Sequence, residues 1–136
     1  MLADIQAYLR PSETLVVVPI TDSDAWTFLT FPLPGHDDAL TCQITSAMVA
    51  AELRRFPRAH QIFVATFTNR QPRRPMENLQ WAVIARAHEG GVHLLGSYYV
   101  SDAGWGSYLC DHPDCTGPRP LHELVEGAER LASLGD

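Results

Sequence analysis

Between Gly104 and Cys115 the chain gathers most of the side chains that could do chemistry. Ser107, Cys110, His112 and Cys115 fall there beside Trp105 and Tyr108, with His122 a few residues on. Thiolates and imidazoles bind zinc, and Cys110, His112, Cys115 and His122 would be the donor set. A closed structural zinc site takes four ligands, and the loop itself supplies three, so the fourth would be His122, His93 or Asp111. The four-residue gap between the two cysteines is wider than the two-residue zinc knuckle, and two small thiols fixing a loop explain it equally. The same stretch offers a nucleophile with a base, either Cys110 with His112 or His93, or Ser107 with a histidine. A thiol or hydroxyl needs such a neighbour to attack at neutral pH. No Gly-x-Ser-x-Gly elbow is present, and Ser107 lies within a hairpin pattern where strand pairing accounts for it.

Two further clusters carry charge. Arg70, Arg73 and Arg74, accompanied by Pro72 and Pro75, follow a strand pattern, the place where open α/β sheets bind ligands, and are read as a candidate anion site. Asp22, Asp24, Asp37 and Asp38 could hold a divalent cation, but turns and helix caps use the same residues. There is no Gly-x-Gly-x-x-Gly after a strand and no Walker pattern, so the usual dinucleotide and P-loop readings fail.

Composition sets the class. A chain of 136 residues with 46% hydrophobic and 19% charged residues has the size and balance of one globular domain, spanning 1–136. A formal net charge of -6, with every basic residue an arginine, argues against nucleic-acid or anionic-membrane partners. No run approaches 18 apolar residues, and the first residues lack the pattern of a signal peptide, so the expected compartment is the cytoplasm. Three cysteines there point to free thiols or a metal, not to a disulfide framework.

The elements that must position these side chains follow from periodicity. Leu2, Ile5 and Leu9 suggest a helix over 2–10, stopped by Pro11. The β-branched block 15–20 reads as a buried strand, and 26–31 as its hairpin partner. Asp37 or Asp38 caps a helix whose stripe Leu40, Ile44, Ala47, Met48 and Ala51 is expected to face the core. A third strand covers 62–67. Met76, Leu79, Val83 and Ala87 form the next helical stripe, stopped at Gly90-Gly91. Strands over 92–100 and 105–109 close a second hairpin, and 121–132 forms a last amphipathic helix. The expectation is an α/β fold: a mixed five-stranded sheet of β-hairpin, two βα crossovers and terminal β-hairpin, packed by three to four helices.

Several of these stretches also resemble the actinobacterial domain-of-unknown-function family 4192. The likeness rests on Tyr8-Leu9, on Pro11-Ser12-Glu13-Thr14-Leu15-Val16-Val17-Val18, and on Gly106-Ser107-Tyr108-Leu109-Cys110 followed by Asp111-His112-Pro113-Asp114-Cys115. It spans roughly 2–120. The family's paired cysteines before proline are here a single Cys115 followed by Thr116-Gly117-Pro118. The resemblance implies an α/β fold and a cytoplasmic compartment, and it carries no assigned activity.

The resulting reading is a small cytoplasmic binding or interaction module without catalysis and without a cofactor. It is expected to form a homodimer or bind a protein partner, with Trp105, Ser107, Tyr108, Cys110, His112 and Cys115 as its surface. The alternatives are a hydrolase-like enzyme using Cys110 or Ser107 with a histidine, and a module stabilised by zinc.

Overall fold

The computed structural model describes residues 13–22, 27–36, 38–69, 76–102 and 104–107. The order of elements is β1 (Thr14–Ile20), β2 (Leu29–Pro32), α1 (Ala39–Leu53), β3 (Gln61–Phe67), α2 (Glu77–Glu89), β4 (His93–Ser101) and β5 (Gly104–Ser107). They build one five-stranded mixed sheet in the order β2-β1-β3-β4-β5. β1 runs antiparallel to both β2 and β3, which makes β2 and β3 parallel to each other. β3 and β4 are parallel, and β4 and β5 form the antiparallel closing hairpin. The α/β class and the five strands are those expected from the sequence. Among the described residues there are two helices, not three to four; the helices expected over 2–10 and 121–132 lie outside the described residues. The second strand begins at Leu29, three residues later than its pattern suggests.

The central strands are apolar on both faces because both faces are buried. In β1, Leu15 and Val17 point to the helical side while Val16 and Val18 point away; in β3, Ile62 and Val64 alternate likewise with Phe63, Ala65 and Phe67. α1 links β2 to β3, and α2 links β3 to β4. Two crossovers of one hand that advance the same way along a sheet place their helices on the same face. Both helices accordingly contribute to one cluster, through Cys42, Val49 and Leu53 of α1 and Leu79, Val83 and Ala87 of α2. The opposite face carries Val16, Val18, Phe63, Ala65, Phe67 and Val100, all buried, with Trp105 and Tyr98 at its margin.

α2 buries the stripe that periodicity gives it. It also buries Gln80, whose amide donates to Thr66 Oγ1 (3.2 Å) and the Tyr98 carbonyl (2.6 Å) and accepts from the Ser97 hydroxyl. Gln80, Thr66 and Ser97 are fully buried, so this network ties α2 to the parallel pair with its polar groups satisfied. At the start of β4 the register slips by one residue beside Leu95. Gly96 follows, where a Cβ would lie 2.7 Å from Tyr98 Cε2 and 3.2 Å from Phe63 Cδ2. The missing side chain is what lets the Phe63 and Tyr98 rings stack, centroids 5.2 Å apart.

Candidate functional site

α1 departs most from expectation. Asp38 is its N-cap, accepting from the Thr41 backbone N–H at 2.8 Å. That bond, reinforced by the Thr41 side chain and by His36, holds the Asp38 carboxyl below its ordinary value. The residues facing the sheet, however, are Cys42, Thr45, Ser46, Val49 and Leu53. The stripe expected in the core faces solvent instead: Leu40 is 66% exposed, Ile44 54% and Met48 49%, and Ala47 and Ala51 are exposed with them. At 100° per residue, Leu40, Ile44, Ala47 and Ala51 lie diametrically opposite the buried side. The polar residues on the buried side are small, and the Ser46 hydroxyl donates back to the Gln43 carbonyl at 3.1 Å, which satisfies it within the helix.

The outer face of α1 is therefore an apolar strip, about 16 Å from Leu40 to Ala51 by the helical rise. It carries no charged residue from Ala39 to Ala51. Exposed apolar patches are what interaction sites commonly present. The charges sit at its ends, with Asp38 at the start and Arg54 and Arg55 at the finish, Arg55 pairing with Glu52 at 3.0 Å. The signal that could have revealed this surface was in the sequence: thirteen consecutive residues leave the helix without a charged side to turn to solvent.

Of the residues singled out at 105–115, the structure describes Trp105 and Ser107. The half-buried Trp105 ring lies 6.0 Å from that of Tyr98, against the second apolar cluster. Ser107 Oγ donates to the Ser97 carbonyl at 3.4 Å. Ser107 pairs with Tyr98, five residues along β4 from His93. At about 3.3 Å per residue that separation is roughly 16 Å, too far for His93 to serve Ser107 as a base. Tyr108, Cys110, His112, Cys115 and His122 lie outside the described residues. Among the described residues no group of three or more His, Cys, Asp or Glu side chains could hold a metal ion.

Arg70, Arg73 and Arg74 also lie outside the described residues, but the anchorage before them is clear. Asn69 donates to Asp102 Oδ2 (2.8 Å) and accepts from the Asp102 backbone N–H (2.7 Å), clamping the ends of β3 and β4 together. Beside them Thr68 donates to Glu13 Oε1 at 2.6 Å, and Glu13 holds a left-handed backbone at φ 50°. Met76 does the same at the start of α2, at φ 62°. The described arginines, Arg54, Arg55, Arg58 and Arg86, lie at the other end of the parallel pair. Arg54 and Arg86 line a groove of about 500 Å³ between the helix C-termini, where the helix dipoles favour cations.

No family model, curated protein or solved structure matches the chain. No helix among the described residues is long and apolar enough to cross a membrane.

Proposed function

We propose that this protein is a small, non-catalytic interaction module of the cytoplasm that works as a homodimer. The observation supporting this reading is the outer face of α1, where three large apolar side chains stand about half exposed or more on a strip free of charge. An uncharged strip offers no electrostatic selectivity, so its affinity comes from apolar burial against a surface as apolar as itself. The sheet edges are poorer docking sites: β2 and β5 are four residues each, and β2 ends in Pro32. The resemblance to family 4192 adds no activity. Native mass spectrometry of the full chain tests the reading. The expected species has twice the 15.1 kDa chain mass, and a monomer at every concentration tested refutes it.

A further inference from the structure

We infer that the partner on the outer face of α1 is the same helix of a second copy, running antiparallel about a two-fold axis level with Thr45 and Ser46. The inference rests on the homodimer reading and adds which surface is used and in which direction. Leu40, Ile44, Ala47 and Ala51 recur at spacings of four, three and four, the seam of a two-helix contact. Within these four the large residues occupy the first half of the helix and the alanines the second, while the strip's third large side chain, Met48, flanks the seam. An antiparallel alignment seats Leu40 against the partner's Ala51 and Ile44 against the partner's Ala47, large on small along the seam, with Met48 level with the partner's Gln43. A parallel alignment would set leucine on leucine and alanine on alanine, overfilling one end and leaving a gap at the other.

The ends of the helix select the same direction. Asp38 stands at the start of α1 and Arg54 and Arg55 at its finish. Antiparallel pairing sets the acidic start of each helix level with the basic finish of the other and opposes the two helix dipoles. Parallel pairing would put arginine on arginine. Ala47 and Ala51 keep the seam narrow enough for the axes to approach closely.

Cysteine cross-linking reads the direction. Leu40→Cys and Ala51→Cys are each made in a Cys110→Ser, Cys115→Ser background, and oxidised separately and after mixing under reducing conditions. In the antiparallel pair position 40 of one copy meets position 51 of the other. Two copies of position 40 are then separated by about 16 Å along the axis, beyond the reach of a disulfide. The expected result is a covalent dimer from the mixture and none from either variant alone. Cross-linking of each variant alone overturns the antiparallel pairing and leaves the homodimer standing. A dimer by mass with no cross-link in any combination removes α1 from the interface, again without touching the homodimer reading. A wild-type monomer overturns both.

Discussion

Ile44→Glu separates an interface side chain from a core one. Ile44 lies in the middle of the outer strip and is 54% exposed in the single chain. Full burial of an isoleucine is worth about 1.5–3 kcal/mol, so covering its exposed half contributes roughly 1 kcal/mol per copy. A two-fold contact counts it twice, giving about 2 kcal/mol per dimer, or a Kd raised roughly thirtyfold. The introduced carboxylates add the cost of burying a charge on an apolar seam, so thirtyfold is a lower bound. Sedimentation equilibrium over a concentration series gives the Kd, and circular dichroism with thermal unfolding of the dissociated chain gives the stability of the fold. The expected pattern is weakened association with a monomer that unfolds as the wild type does, because an exposed helix position tolerates glutamate within about 0.5 kcal/mol. An unchanged Kd refutes the assignment of the strip to the interface. A concentration-independent loss of about 2 kcal/mol or more refutes it differently, by making Ile44 part of the chain's own core.

Two further outcomes test the fold that presents this surface. Gln80→Leu deprives the buried Ser97 hydroxyl, Thr66 hydroxyl and Tyr98 carbonyl of a partner, an expected loss of about 2–5 kcal/mol in urea unfolding. Adding Ser97→Ala should recover about 1 kcal/mol or more, and strict additivity of the two changes would show that they do not share a network. Asp38 has its carboxyl held below the ordinary value, so it binds a proton less readily folded than unfolded. Its contribution is present above the unfolded value, near pH 4, and is lost as pH falls through the folded one. Asp38→Asn keeps a capping acceptor that does not titrate. The stability difference between wild type and variant should therefore stay flat at higher pH and change as pH falls through the carboxylate range, as followed by thermal unfolding across it.

Much of the architecture was legible in the residues themselves. The apolar blocks at Leu15–Val18 and Ile62–Phe67 could only be strands buried on both faces, because a half-exposed strand would alternate. Leu79, Val83 and Ala87 stand against charged neighbours on α2, so that helix had one face to bury and the sequence named it. Asp38 was one of two caps open to α1. The closing hairpin at β4 and β5 was readable from its β-rich runs and the turn between them.

What the sequence by itself could not determine is which side of α1 meets the sheet. That helix carries no charge from Ala39 to Ala51 to mark its outer side, so Leu40, Ile44 and Met48 make as good a core stripe as Val49 and Leu53 do. The tertiary structure decided it: the crossovers set α1 beside α2 on one face, and Cys42, Thr45 and Ser46 are the small residues on the side turned to the sheet. Gln80 is the same lesson reversed. A polar residue on a helical wheel reads as solvent-facing until the fold brings Thr66, Ser97 and the Tyr98 carbonyl to it. Periodicity records how apolar a residue's surroundings should be. Only the three-dimensional packing says which neighbour supplies them.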